Sequence, residues 1–200
     1  MKLAIFASGN GSNFAAIAEA VKEGTINAEL VLLFCDKRQA YVIQRSQELG
    51  ISTICFEPKD FVNKAAYEQE LLQILKVNQV DLVVLAGYMR LIGPTLLKVY
   101  SNRILNIHPA LLPDFPGLHG IRDAFEAGVI ETGVTVHFVD DGVDTGPIVA
   151  QESVFIDEKD TLEMLEERIH QVEHQVYPKV IQETIEKLSK TNEWKWSVEG

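Results

Sequence analysis

The chain has 200 residues, of which 46% are hydrophobic and 24% charged, and its formal net charge is -11 without any run of Lys or Arg. This size suits one domain with a sizeable core, and the missing basic surface argues against nucleic acid as a partner. No apolar run approaches the ~20 residues of a membrane span and no signal-like segment follows Met1, so we expect a soluble, cytoplasmic protein. We expect it to be a monomer or a homodimer.

Strand-like and helical patterns alternate along the first half of the chain. Apolar runs predict strands over residues 3–7, 30–35, 52–56, 82–86 and 104–107, and helical spacing predicts helices over 13–22, 40–49, 63–77 and 95–100. This order is typical of a parallel sheet built from βαβ units. The runs at 30–35 and 82–86 are apolar at successive positions, which is typical of central strands with helices on both faces.

The pattern changes after residue 107. Residues 108–120 contain three prolines and two glycines, which predicts a long loop at the end of a strand. A short helix over 121–127 follows, and then strands over 134–139 and 148–155 that we expect to pair antiparallel at one edge of the sheet. A last long helix is predicted to open at Asp160 with Glu163 as its capping box, and Pro178 should kink or split it near Tyr177.

These elements predict an α/β fold: a three-layer, Rossmann-like open sheet, mostly parallel with an antiparallel edge. We expect a single domain over residues 1–190 and a C-terminal tail over 191–200, which contains Trp194 and Trp196. Ligands of such sheets bind beyond the carboxyl ends of the strands, where the strand order reverses. The unusual polar residues of this chain lie in the loops expected at that edge.

Residues 8–13, Ser-Gly-Asn-Gly-Ser-Asn, follow the first predicted strand and open the first helix, and we call them the glycine loop. Free backbone N–H groups at a helix N-terminus can bind a phosphate. A dinucleotide site is an alternative, because Asp36 follows the second strand at the distance expected of a ribose-binding acid, but Phe14 stands where such a motif needs a third glycine. A plain capped turn is the other alternative.

Asn106, His108 and Asp144 supply an oxyanion donor, a titrating imidazole and a carboxylate to hold it. Together they suit acyl transfer through a tetrahedral intermediate. Asn106 and His108 are two residues apart on a strand, so their side chains should point to the same side. The alternatives are a structural histidine and, for Asp144, a turn residue or a cation ligand.

Other candidate residues favour ordinary roles. His137 lies on a predicted strand and suits a supporting or substrate-facing role better than that of a second base. His170, Glu173 and His174 share a helix face, most simply as a polar stripe, and no third ligand accompanies the histidines, so we expect no metal. Cys35 and Cys55 are expected to be structural thiols.

Four segments resemble a known family: residues 9–13 (Gly-Asn-Gly-Ser-Asn), 86–90 (Ala-Gly-Tyr-Met-Arg), 106–113 (Asn-Ile-His-Pro-Ala-Leu-Leu-Pro) and 133–147, which contains Val-Asp-Asp-Gly-Val-Asp-Thr-Gly. Together they resemble the phosphoribosylglycinamide formyltransferases, folate-dependent enzymes of purine biosynthesis, over roughly residues 1–188. The Asn-x-His-Pro and Val-Asp-x-Gly elements mark formyltransferases in general, and the glycine loop is the more specific sign.

The resemblance implies the formyltransferase fold and transfer of the formyl group of 10-formyltetrahydrofolate, a co-substrate, to the amine of phosphoribosylglycinamide. It implies that Asn106 holds the formyl oxygen, that His108 donates a proton, and that Asp144 orients His108. The aspartate should also raise the pKa of His108 above its ordinary ~6.5.

The resemblance also implies binding residues. Those implied for the substrate are Gly11, Ser12 and Asn13 at the phosphate, Gly87, and Glu173 at the ribose hydroxyls. Those implied for the folate are Lys64, Met89, Arg90, Leu91, Ile92, Asn106, Asp140 and Val143. The family more often has arginine at position 64, and lysine offers a point charge instead of a fork.

Three other functions compete with this interpretation. A deformylase would release formate from the same folate, but such enzymes usually carry an extra N-terminal region, whereas the first strand here begins at Leu3. A transfer-RNA formylating enzyme would need an additional basic C-terminal domain, which the length and acidity argue against. A catalytically silent folate- or nucleotide-binding module would keep the polar residues only for binding.

Overall fold

A computed structural model describes residues 1–191, and the predicted tail lies almost wholly outside the described residues. One seven-stranded sheet organises the chain. Its strands are β1 (Lys2–Ala7), β2 (Glu29–Cys35), β3 (Thr53–Cys55), β4 (Leu82–Leu85), β5 (Ile104–His108), β6 (Glu131–Phe138) and β7 (Ile148–Phe155). The helices are α1 (Ser12–Lys22), α2 (Tyr41–Glu48), α3 (Lys64–Val77), α4 (Pro94–Leu97), α5 (Gly120–Glu126) and α6 (Leu162–Thr191), with a 3₁₀ turn at Pro58–Asp60.

The strand order is β3-β2-β1-β4-β5-β6-β7. Strands β1 to β5 are parallel, and β6 and β7 extend the sheet in antiparallel pairing. This confirms the predicted mostly parallel sheet with an antiparallel edge. The order reverses between β1 and β4, so the loops that follow these two strands open the crevice in which such folds bind ligands.

Apolar side chains from both faces of the sheet form two core layers. Leu3, Ile5 and Ala7 of β1 pack on the face covered by α1 and α6, whereas Ala4 and Phe6 of the same strand face α3 and α4. Burial on both faces explains why the central strands have no alternation of polar and apolar residues. Burial also raises the pKa of the Cys35 thiol to about 11, which fits a structural thiol.

The last helix departs from its prediction at its first turn. The helix begins at Leu162, and the Met164 N–H donates to Thr161 Oγ1 over 3.3 Å, so the predicted capping role of Asp160 is wrong. Asp160 instead accepts from Arg168, with Nη2–Oδ1 at 2.6 Å. The helix runs through Pro178 without being split.

Tyr177, fully buried on α6, fixes this helix against the sheet. Its hydroxyl lies 2.8 Å from the carbonyl oxygen of Leu85, the last residue of β4, and 3.2 Å from that of Leu105, within β5. Glu173 lies four residues earlier, on the same face of the helix. The contact therefore holds Glu173 beside the crevice.

Candidate active site

The predicted trio meets at the carboxyl end of β5. Asn106 and His108 are both on this strand, and Asp144 reaches them from the loop between β6 and β7. His108 Nδ1 lies 3.4 Å from Asp144 Oδ2. The structure therefore brings together an amide, an imidazole and a carboxylate, as the sequence predicts.

His108 is almost fully buried, with 3% of its surface exposed. Its Nε2 lies 2.7 Å from the carbonyl oxygen of Phe115, in the loop before α5. Both ring nitrogens thus face oxygen acceptors. Burial nevertheless lowers the pKa of His108 below its ordinary value, although the Phe115 carbonyl and the Asp144 charge act in the opposite direction. The expected rise in this pKa is wrong, because the desolvation of the ring could not be read from the sequence.

Asp144 stays ionised although it is partly buried. Burial alone would raise its pKa, but the neighbouring His137, whose Nε2 lies 3.5 Å from Asp144 Oδ1, a hydrogen bond from the Gly117 N–H and the charge of His108 hold the pKa below its usual value. The Gly117 N–H donates to Asp144 Oδ2 over 2.8 Å. A fixed anion beside the imidazole orients the ring and stabilises its charged form.

His137 on β6 holds the side chain of Asn106. The two residues are directly opposite in the antiparallel pair, and Asn106 Nδ2 lies 3.1 Å from His137 Nε2. His137 Nδ1 lies 2.9 Å from the Phe138 carbonyl oxygen, so a neutral ring carries its proton on Nδ1 and accepts from Asn106 at Nε2. An amide nitrogen has two donors, so one N–H of Asn106 remains for a ligand.

Two residues that contact His108 have unusual backbone conformations. Phe115 and Asp144 have φ values of 52° and 54°, in the left-handed backbone region that residues other than glycine rarely adopt. Such conformations cost free energy and persist where the surrounding contacts enforce them, often at functional sites. No sequence pattern marks Phe115 as a partner of the histidine.

A cavity of about 390 Å³ opens beside the trio, within the range of small-molecule sites. Its lining contains these predicted substrate and folate residues: Gly87, Met89, Arg90, Leu91, Ile92, Asn106, Asp140 and Val143. Met89, Leu91 and Val143 are about half exposed at its rim. An apolar rim around a polar wall suits a flat aromatic ligand with a reactive group.

Residues 87–93, which we call the β4–α4 segment, form one side of this cavity and are held by three buried side chains. The Met89 N–H donates to Ser8 Oγ over 3.0 Å, and the Gly93 N–H donates to Glu68 Oε1 over 2.6 Å. Arg90 Nε donates to Asp36 Oδ2 over 2.5 Å.

Asp36 is 1% exposed, which gives this residue a structural role in place of the ribose-binding alternative. The sequence indicated neither the contact of Ser8, which was named only as part of the glycine loop, nor that of Glu68, because each acts across a large sequence separation.

The glycine loop and Glu173 lie next to each other but outside the cavity lining. Asn13 Nδ2 donates to Glu173 Oε2 over 3.2 Å. Burial raises the pKa of Glu173 to about 7, against the effect of this hydrogen bond. The Ser8 N–H donates to the Gly87 carbonyl over 3.0 Å, so the glycine loop joins the cavity at Gly87.

Two features of the glycine loop suit an anion. Gly11 adopts φ 80°, and a Cβ there would lie 2.4 Å from Val42 Cγ2, so only glycine fits. The helix that follows starts with N–H groups that have no partner inside the helix.

Lys64 is the one predicted folate residue that the structure places elsewhere. It begins α3, outside the cavity lining, with Nζ 3.7 Å from Glu68 Oε1. Among residues 1–191, the structure contains no group of three or more metal-ligating side chains. None of the helices described is long and apolar enough to cross a membrane.

Comparison with known proteins identifies the family. The family model described as Formyl transferase matches residues 1–181. The chain belongs to the formyl transferase family. It is 54% identical to a phosphoribosylglycinamide formyltransferase of Bacillus subtilis, over 92% of this chain and 94% of the relative, and 39% identical to one of Escherichia coli, over 90% and 85%.

Other relatives extend the comparison. The chain is 41% identical to a trifunctional purine biosynthetic protein of Drosophila melanogaster, over 90% of this chain and 14% of that longer protein. A crystal structure of phosphoribosylglycinamide formyltransferase from Bacillus halodurans superposes with a TM-score of 0.91 at 52% identity, covering 94% of this chain and 97% of that one. The predicted resemblance, and with it the transferase class, is confirmed.

Proposed function

We propose that this formyl transferase moves the formyl group of 10-formyltetrahydrofolate to the amine of N1-(5-phospho-D-ribosyl)glycinamide. The products are the N2-formyl compound and tetrahydrofolate, in de novo purine biosynthesis. The observation that carries the proposal is the meeting of Asn106, His108 and Asp144 at one wall of a cavity with an apolar rim. The high identity to phosphoribosylglycinamide formyltransferases over almost their whole length supports the same reaction.

The reaction begins when the amine lone pair attacks the formyl carbon. The carbonyl π electrons move to oxygen, and the free N–H of Asn106 donates to the developing oxyanion. His137, by accepting the other N–H at 3.1 Å, fixes the amide before substrate arrives. A donor aimed in advance at developing charge lowers the barrier, because it needs no reorganisation during the reaction.

His108 moves the proton that the transfer requires. The attacking amine loses one proton, and the folate nitrogen gains one as its bond to the formyl carbon breaks and the carbonyl reforms. Because burial lowers the pKa of His108, the ring is available in its neutral form to take the amine proton, which it then passes to the folate nitrogen. Asp144 favours the charged ring in the intermediate. To reach the substrate, Nε2 exchanges its partner at the Phe115 carbonyl.

The substrates occupy two adjoining regions. The pterin lies against Met89, Arg90, Leu91 and Ile92, with Asp140 and Val143 on the opposite loop. The phosphate lies on the N–H groups of Gly11, Ser12 and Asn13, and Glu173 accepts from the ribose hydroxyls. Gly87 joins the two regions. Lys64, at the start of α3, attracts the carboxylate end of the folate from outside the cavity.

The experiment that tests this proposal follows a labelled formyl group. The purified protein is mixed with formyl-labelled 10-formyltetrahydrofolate, with and without phosphoribosylglycinamide, and the label is followed in both product and formate. We expect label in the N2-formyl product only when the amine is present. Label released as formate without the amine would indicate a deformylase, and label left on the folate in both mixtures would indicate a binding module; either result contradicts the proposal.

A further inference from the structure

The glycine loop contains no cation, although a phosphate monoester carries roughly -1.5 to -2 charge near neutral pH. Its six residues from Ser8 to Asn13 offer backbone N–H groups and small polar side chains. Arg45, on α2, is a basic residue that contacts this loop directly. A role for Arg45 in phosphate binding rests on the proposed function of the glycine loop.

Arg45 holds the loop residue Asn10 by two hydrogen bonds. Its Nε donates to the Asn10 carbonyl oxygen over 2.9 Å, and its Nη2 donates to Asn10 Oδ1 over 3.0 Å. The guanidinium carbon lies 4.9 Å from the centroid of the Tyr41 ring, one turn earlier on α2. Three contacts therefore fix both the main chain of Asn10 and the orientation of the cation.

The first turn of α2 supports the loop on either side of Asn10. The Val42 N–H donates to the Gly9 carbonyl over 3.1 Å. Val42 also packs so closely on Gly11 that no Cβ fits there. Three successive loop residues thus depend on α2, and Arg45 is the charged member of these contacts.

The charge of Arg45 also acts toward α6, across the loop. Burial lowers the pKa of His174, and the charges of His170 and Arg45 lower it further. His174 follows Glu173, whose carboxylate accepts from Asn13 at the other end of the loop. The guanidinium uses two of its five donors on Asn10, which leaves three for other acceptors.

We infer that Arg45 is a positioning residue for the phosphate site: it holds Asn10 in the conformation that presents the loop N–H groups, and it supplies the positive charge that favours a phosphorylated sugar over an uncharged one. Arg45 lies outside the lining of the cavity beside Asn106, His108 and Asp144. Its loss should weaken binding of the phosphorylated substrate and leave the chemistry of the bound complex nearly intact.

The test compares Arg45→Met and Arg45→Lys with a matched control, Arg38→Met. Arg38 is an exposed arginine whose partner is Asp60, at 2.6 Å, so this control removes the same charge and one ion pair. Binding of ribose 5-phosphate and of ribose is measured by calorimetry, which needs no turnover. Steady-state kinetics then give KM and kcat for each substrate, and thermal unfolding reports the fold.

We expect Arg45→Met to weaken ribose 5-phosphate binding and to raise the KM for phosphoribosylglycinamide by about 10- to 100-fold, as for loss of charged hydrogen bonds. Only this KM should rise, whereas kcat and the KM for formyl-folate should stay close to their wild-type values. Arg45→Lys keeps the positive charge without the planar guanidinium, so its affinity for ribose 5-phosphate should fall less. Arg38→Met should bind like the wild type.

Several outcomes overturn the inference. Wild-type affinity for ribose 5-phosphate in Arg45→Met does so, as does an equal loss for both substrates. If Arg45→Met fails to fold, an Arg45→Lys variant with unchanged phosphate binding also overturns it. If the wild type transfers formyl groups and only the Arg45 result fails, the proposed function stands. If the wild type neither binds ribose 5-phosphate nor transfers formyl groups, both the inference about Arg45 and the proposed function are contradicted.

Discussion

Replacement of Glu173 by glutamine is expected to stabilise the unliganded protein at neutral pH. The side chain is 6% exposed, and its burial raises its pKa from 4.5 to about 7. As the pH rises above 4.5, the unfolded chain releases this proton before the folded one does. The raised pKa therefore costs stability progressively between about pH 4.5 and 7, and the loss persists at higher pH.

The magnitude follows from the shift in pKa. A shift from 4.5 to about 7 corresponds to about 3 kcal/mol at ~1.36 kcal/mol per unit. Because the sequence pI is ≈ 4.9, unfolding is better followed from about pH 5.5 to 8, over which about 2 kcal/mol of the difference should develop. Glutamine can still accept from Asn13, so the variant keeps the contact without the buried charge.

The measurement is urea unfolding of the wild type and of Glu173→Gln at several pH values. The difference in unfolding free energy should grow with pH in favour of the variant. In a separate kinetic assay, the variant's KM for phosphoribosylglycinamide should be about tenfold higher, because a neutral amide accepts more weakly from hydroxyls. Glu167→Gln, exposed on the same helix, is the control and should parallel the wild type. If the curves of Glu173→Gln and the wild type stay parallel, the reasoning about Glu173 is refuted.

Three other substitutions test the cavity. Asn106→Ala should lose about 10²- to 10³-fold in kcat with little change in substrate binding, because it removes one oxyanion donor; a variant with normal kcat would contradict this role. Asp144→Asn removes the anion that opposes the effect of burial on His108, so its pKa should fall further and the basic limb of the pH–rate profile should move to lower pH; an unmoved limb in the profile argues against the coupling. Glu68→Ala leaves the buried Gly93 N–H without its acceptor, which should lower the free energy of unfolding in urea by about 1–3 kcal/mol. The same change should raise the KM for formyl-folate; an unchanged KM would show that this contact does not shape the cavity.

The sequence predicted the elements of the fold well because their signals are local. The continuous apolar runs of β2 and β4 identified central strands, and the sheet has the predicted parallel and antiparallel parts. The prediction for α6 was wrong at its first turn, where tertiary contacts decide which residue caps the helix. Asp160 forms an ion pair with Arg168 instead of capping the helix. A proline inside a long packed helix does not split it when the helix is fixed to the sheet, as Tyr177 fixes this one.

The site was predictable where a motif lies on one strand and less so where distant segments meet. Asn106 and His108 share β5, and their proximity follows from strand geometry. The pKa of His108 depends on burial and on the Phe115 carbonyl, neither of which has a sequence signal. In the same way, Ser8, Asp36 and Glu68 hold the β4–α4 segment through contacts that only the folded chain creates.

The most direct test of the catalytic role proposed for His108 is the rate of amine-dependent tetrahydrofolate formation by the wild type and by His108→Ala, together with the affinity of each for both substrates. A catalytic role of His108 predicts rapid formation by the wild type and a loss of about 10²- to 10⁴-fold in the variant, with both substrates still bound. A variant that forms tetrahydrofolate at the wild-type rate would contradict it.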